Sequence, residues 1–185
     1  MNRDSTSYRH VFVSRTFSRF AEENEALIAA VIADDSAAVS ATLDEIPEAI
    51  LWLNPRKNQS ILNEACSLAL NATVNVILDH LTSRSDALLT KCVVNFCVDS
   101  GWTPLLNACH HGNAALVGRL VTMGADINAQ NNQCWSSLTV ATGEGFRDIA
   151  EFLLQQPSLD LKANLILLDA NLFVGSLVYS FGLLA

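Results

Sequence analysis

Residues 101–121 read Gly101-Trp102-Thr103-Pro104-Leu105-Leu106-Asn107-Ala108-Cys109-His110-His111-Gly112-Asn113-Ala114-Ala115-Leu116-Val117-Gly118-Arg119-Leu120-Val121. A second segment, starting at Cys134, aligns with them without a gap, 33 positions further on. Trp102 falls on Trp135, Thr103 on Ser136, Leu105 on Leu138, Ala108 on Ala141 and Gly112 on Gly145. Leu116 falls on Ile149, and Leu120-Val121 fall on Leu153-Leu154. Self-similarity at a fixed period of this size signals stacked structural repeats.

The unit itself can be read residue by residue. Thr103 is a helix N-cap, because its hydroxyl can accept from an amide of the first turn. Pro104 suits the first helical position, where a missing N–H costs nothing. Leu105, Ala108 and Cys109 recur at i, i+3 and i+4 and make one apolar face. Gly112 supplies the left-handed conformation that ends a helix. A second helix follows with Leu116, Val117, Leu120 and Val121 facing inward, and Gly124 closes it. A helical hairpin of this kind has an apolar face it cannot bury alone, so such units come stacked.

These residues resemble the ankyrin family. Asp99-Ser100-Gly101-Trp102-Thr103-Pro104-Leu105, then Ala108, Gly112 and Val117, then Gly124-Ala125-Asp126-Ile127-Asn128-Ala129, follow its repeat nearly throughout. There are departures. Leu106 stands where the family carries a His, which removes a side-chain hydrogen-bond network at the cap. The second copy has Ser136-Ser137 for Thr-Pro and Cys134 for Gly, and its second helix ends in Gln155-Gln156-Pro157.

Upstream the pattern is degenerate. Ser60, Leu62, Ala65 and Cys66 lie 43 before Thr103, Leu105, Ala108 and Cys109, and Val74, Ile77 and Leu78 keep that offset to the second helix. Val94-Asn95 lies 33 before Ile127-Asn128, so about ten residues are expected to loop out within residues 82–93. Leu27, Ala30, Val39 and Leu43 lie 78 before Leu105, Ala108, Val117 and Val121, with Asp34-Asp35-Ser36 as the intervening turn. The acids Glu22, Glu23 and Glu25 suit the first turn of a helix.

The expected fold is therefore all-α. It is an ankyrin-type helical-hairpin solenoid of about four repeats with short hairpin-like tips. Residues 1–21 are an Arg/Ser-rich leader, expected to be disordered or alternatively a transit peptide. Residues 22–164 are the repeat domain, with degenerate repeats at about 22–54 and 55–98 and clear ones at about 99–131 and 132–164. Residues 165–185 are an apolar tail with no basic residue and one acid, Asp169. It can be a packed helix, a membrane anchor facing the cytosol, or the altered end of a longer array, since about 20 apolar residues can span a bilayer.

Half of the residues are hydrophobic and 16% are charged, which suits a packed core. The net charge of −8 repels phosphate and argues against nucleic acid as a partner. Five cysteines, an odd number in a chain of this length, read as free thiols in a reducing, cytoplasmic setting. No phosphate loop, His-Glu-x-x-His or Gly-x-Ser-x-Gly motif is present, so neither an enzyme nor a cofactor is expected. Glu64 near Cys66 and Asp79 beside His80 read as solvated faces and ordinary helix positions. Cys92, Cys97, Cys109, His110 and His111 have poor spacing for zinc.

The resemblance implies that another protein is bound through hairpin tips and the exposed side of the first helices. The positions it marks are Asp99, Ser100, Trp102, His110 and His111 in one repeat, and Asn132, Gln133, Trp135, Gly143 and Glu144 in the next. Trp102 and Trp135 can equally well be interface anchors or covers for the neighbouring hairpin. Two further functions stay open: a membrane-tethered scaffold, and a regulatory or substrate-delivering subunit of an enzyme complex.

Overall fold

The structure, a computed structural model, describes residues 21–160. The expectations for the leader and for the apolar tail at 165–185 lie outside the described residues. The chain divides into two compact units that meet in sequence between Pro104 and Leu105.

The first unit opens with helix α1 (Ala21–Ile32), one residue earlier than expected, and α2 (Ser36–Glu45). Glu22 and Glu23 occupy the first turn of α1, where the helix dipole favours acids. Leu27, Ile28 and Val31 of α1, with Val39 and Leu43 of α2, form the buried faces. The turn between the helices is the expected Asp34-Asp35-Ser36. Asp34 is left-handed (φ 53°), and the Asp35 carboxylate caps α2 by accepting from the Ala38 amide at 3.0 Å.

A 3₁₀ turn (Pro47–Leu51) leads to two short antiparallel strands, β1 (Leu53–Asn54) and β2 (Gln59–Ser60), in the register Leu53↔Ser60. Ser60 then caps α3 (Ile61–Ser67), its hydroxyl accepting from the Asn63 amide at 3.2 Å. Helix α4 (Asn71–Ser83) follows, and its stripe Val74, Ile77 and Leu78 is buried as read from the sequence. The Thr73 amide and hydroxyl both donate to the Asp34 carboxylate, at 3.3 and 2.8 Å, fastening the α3–α4 hairpin to the α1–α2 turn.

One expectation fails here. The ten extra residues do not loop out. Helix α4 runs on to Ser83, and residues 87–94 form a further helix, α5 (Ala87–Val94), capped by Asp86 accepting from the Leu89 amide at 3.0 Å. Cys92, Val93 and Val94 are buried, which gives this short helix its tertiary support. The run Ala-Leu-Leu-Thr-Lys-Cys-Val-Val behind an Asp cap favours a helix over a loop.

Helix α6 (Pro104–His110) opens with its proline, as expected. In the second unit come α7 (Ala114–Thr122), α8 (Ser137–Gly143) and α9 (Arg147–Leu154). Asn113 caps α7 through the Leu116 amide (3.0 Å), and Ser136 caps α8 through Thr139 (3.3 Å). Leu116, Val117 and Leu120 face inward, as do Ile149, Ala150, Leu153 and Leu154. Asn128 ties two loops together: its Nδ2 donates to the Ser158 carbonyl and its Oδ1 accepts from the Asp160 amide, each at 2.7 Å.

One backbone feature recurs in all four hairpins. The residue ending each first helix is left-handed: Asp34 (φ 53°), Ala69 (56°), Gly112 (68°) and Gly145 (82°). So is one residue in each tip: Asn58 (49°), Gly101 (82°) and Cys134 (62°). The tip residues keep the offsets of 43 and 33 seen in the sequence. The turn geometry therefore persists where the glycine does not. Among the described residues no helix is long and apolar enough to cross a membrane.

Candidate partner-binding surface

The expected site residues fall on two tips and at two helix ends. In the first unit, the Gly101 amide donates to the Val98 carbonyl (2.8 Å) and the Val98 amide to the Trp102 carbonyl (3.3 Å). This small turn presents Asp99 and Ser100 to solvent and leaves Trp102 half-buried. Asp99 accepts a long hydrogen bond from the Asn58 carboxamide, 3.5 Å away across the neighbouring tip.

Sequence reasoning missed Asn63, which holds this tip from beneath. Asn63 is fully buried. Its Nδ2 donates to the Trp102 carbonyl at 2.8 Å and to the Phe96 carbonyl at 3.3 Å. Two backbone carbonyls, one of them buried, are thereby satisfied by one side chain. The signal was available: Asn63 lies 43 before Leu106, the position where the family's polar residue is missing.

In the second unit the equivalent turn spans residues 131–135. The Asn131 carboxamide oxygen accepts from the amides of Gln133 (2.9 Å) and Trp135 (3.0 Å), and the Asn131 amide donates to the Trp135 carbonyl (3.1 Å). The turn needs a left-handed residue, and Cys134 takes that conformation with its side chain exposed. Asn132, Gln133 and Trp135 stand outward, and Trp135 is 42% exposed, unusually open for so large an apolar side chain.

At the helix ends the fold joins two expected residues. His110 Nδ1 lies 2.9 Å from Glu144 Oε1, both side chains being close to half exposed. The His111 ring meets that of His110 edge-on, with centroids 5.1 Å apart. Gly143 is exposed beside Glu144. A pair this open to water contributes at most about 1 kcal/mol to stability. It does hold the two side chains toward each other across the helix ends.

Glu64 departs from its expected role. It is not on a solvated face but 1% exposed, with Lys57 Nζ 2.5 Å from Oε1 and Asn54 Nδ2 3.3 Å from Oε2. The tip loop 54–58 folds back over the start of α3 and carries the counter-charge with it. Asp79 is exposed, whereas His80 is largely buried with Asp44 Oδ1 4.0 Å from its Nδ1. Burial, reinforced by the Arg84 charge and opposed by Asp44, lowers the His80 pKa.

Cys109 is buried, and burial pushes its thiol up to about 12, while His110 and His111 lie on the surface. Cys66 is likewise buried and its thiol raised. Among the described residues no three His, Cys, Asp or Glu side chains gather as a metal site would require.

Paired short helices, joined by left-handed turns and linked through small polar tips, define a helical-hairpin repeat protein. Residues 81–164 match the sequence model of ankyrin repeats, in 3 copies, and this stretch of the chain is an ankyrin-repeat array. The match begins upstream of Asp99, so it takes in part of the stretch that reads as degenerate. No curated protein sequence matches the chain. Among solved structures, the chain is similar to a chain in the crystal structure of the yeast ribosomal protein Rps3 in complex with its chaperone Yar1. The TM-score is 0.66 at 20% identity, covering 75% of this chain and 95% of that one, a likeness of fold. Ankyrin repeats as a class are protein-interaction modules.

Proposed function

We propose that this chain binds a partner protein through its hairpin tips and the exposed ends of its first helices, and catalyses nothing itself. The observation that supports this best is Trp135. A large aromatic side chain is held 42% exposed on a turn whose backbone is fastened by Asn131. Exposed aromatic anchors on rigid supports dominate interface energetics. Asp99, Ser100 and Trp102 on the first unit, and His110, His111, Asn132, Gln133 and Glu144 on the second, are the other residues proposed to take part. On this reading the hairpins at 21–45 and 61–83 are divergent ankyrin repeats.

The partner expected is a protein and not a nucleic acid, given a net charge of −8. The five free cysteines suit a reducing, cytosolic setting. The test is capture of partners by the full chain against Trp102→Ala/Trp135→Ala, identified by mass spectrometry, with helical content followed by circular dichroism. Loss of specific partners with helical content intact is the expected result. Unchanged capture would overturn the reading. Loss of the fold would assign the tryptophans to packing instead.

A further inference from the structure

The second helices of the first two hairpins, α2 and α4, leave a cleft of about 290 Å³ between them. None of the residues lining it belongs to a tip or to a first helix, so it is no part of the surface proposed above. A volume of this size takes one side chain rather than a whole small molecule. The floor is apolar, made by Leu43 and Val76. The unit around it is acidic. Residues 21–104 carry 12 acids against 4 Lys and Arg, and one of those four, Lys57, is already held by the buried Glu64.

The polar groups of the cleft come from both helices: Asp44 from α2, and Asp79, His80 and Ser83 from α4. The His80 side chain is only 12% exposed, and its Nδ1 lies 4.0 Å from Asp44 Oδ1, too far for a hydrogen bond. Its Nε2 is buried with no partner. Protonating the ring would make both nitrogens donors, and the buried one would have no acceptor, a costly state. His80 is therefore barred from acting as the counter-ion of Asp44, in line with its lowered pKa. Ser83 Oγ gives its proton to the His80 carbonyl at 2.8 Å, which leaves the oxygen as an acceptor. Arg84 acts on His80 through its charge, but neither it nor any other described Lys or Arg lines the cleft. The cleft thus offers carboxylates and a hydroxyl oxygen over an apolar floor, and holds no cation among the described residues.

We propose that this cleft is a second binding site, which receives the guanidinium of an arginine side chain presented by a protein partner. A guanidinium suits it better than an ammonium. Its five N–H donors lie in one plane and can reach acceptors on both helices at once. It is also weakly hydrated, so it loses little on meeting Leu43 and Val76, whereas an ammonium is a compact and strongly hydrated charge. The excess of acids in this unit draws a cationic segment toward it. A metal ion is the competing occupant, but Asp44, Asp79 and His80 do not gather as three ligands would.

The test titrates the full chain with Nα-acetyl-arginine methylamide and follows the backbone amide resonances. Saturable shifts are expected at Asp44, Val76, Asp79 and His80, with a dissociation constant in the millimolar range that a single side chain can reach. The citrulline analogue, similar in shape but uncharged, should produce none. The lysine analogue should bind more weakly, by about threefold or more. Asp44→Asn, a change at an exposed side chain, should weaken the arginine probe by about threefold or more while the resonances of α1 and α3 stay in place. The assignment is overturned if no saturable shift appears in the cleft, if Asp44→Asn leaves binding unchanged, or if citrulline or lysine binds as well as arginine. Equal shifts at the exposed acids Glu22, Glu23 and Glu25 of α1 would also overturn it, since they would mean attraction to acids in general.

Discussion

The ring of Phe146 occupies the space that a side chain on Gly112 would need. A Cβ built on Gly112 would lie 2.4 Å from Phe146 Cε1, and the glycine is left-handed at φ 68°. The turns inside two successive hairpins are thus fitted to each other, and only glycine permits it. Gly112→Ala should lower stability by about 2–4 kcal/mol, combining left-handed strain with overpacking. Urea denaturation will measure it. Gly118, a helical glycine with nothing within 4 Å, is the control: Gly118→Ala should be neutral or stabilising by up to about 1 kcal/mol.

Ala69 occupies the equivalent turn with φ 56° and bears the strain that glycine avoids. Ala69→Gly should therefore stabilise the chain, by up to about 1 kcal/mol after the added freedom of the unfolded state is subtracted. A fall in the unfolding midpoint would show that the Ala69 methyl group contributes more to packing than the turn costs.

Glu64 depends on Lys57. Lys57 is itself half exposed, so solvent screens part of the attraction, and Asn54 still reaches the carboxylate when the lysine is gone. Lys57→Ala should cost about 1–3 kcal/mol, mostly the penalty of leaving a buried carboxylate underpaired. Glu64→Gln should make Lys57→Ala nearly silent. A double-mutant cycle checks this; additive losses would mean that the pair is not coupled.

His80 has its pKa lowered in the folded protein, first by burial. The unfolded chain then binds the proton more readily, so stability is highest above the ordinary histidine value. It falls as pH drops through about 6.5 toward the lower folded pKa. His80→Gln should flatten the dependence of the urea midpoint between pH 7.5 and 5. An unchanged slope would assign the acid sensitivity to other groups.

Thiol reactivity should separate the cysteines. Cys134 is exposed and should react first with a thiol reagent, whereas Cys66 and Cys109 are buried with raised pKa values, about 12 for Cys109. Those two should react only on unfolding. Fast labelling of Cys109 in the native protein, read by mass spectrometry, would contradict its burial.

Much of this fold is legible in the sequence because its helices announce themselves with caps and stripes. Thr103-Pro104-Leu105, Gly112 and the Leu116–Val121 stripe fix one hairpin, and a 33-residue shift gives the next. The turn at Asp34-Asp35-Ser36 was readable for the same reason. Three features were not. The α5 insertion is a helix of eight residues, too short for periodicity alone to mark, and only its Asp86 cap distinguishes it from a loop. Burial of Glu64 depends on Lys57 folding back from the tip, a pairing seven residues apart across a bend. The Asn63 contacts to Phe96 and Trp102 span more than thirty residues, and only the repeat offset could have pointed to them. For the candidate site, sequence marked the tips and helix ends, but not which side chains meet there. The pairing of His110 with Glu144 comes from the fold.

The recurring left-handed residue in each tip has a consequence for how such a chain can be rebuilt. Gly101 and Cys134 share a backbone conformation, so the segment between them begins and ends on matching joints. A duplicate of residues 102–134 inserted after Cys134 would meet the same geometry at both seams. The hairpin is in this sense an interchangeable part, and arrays of this chain can be lengthened one unit at a time without designing a new turn.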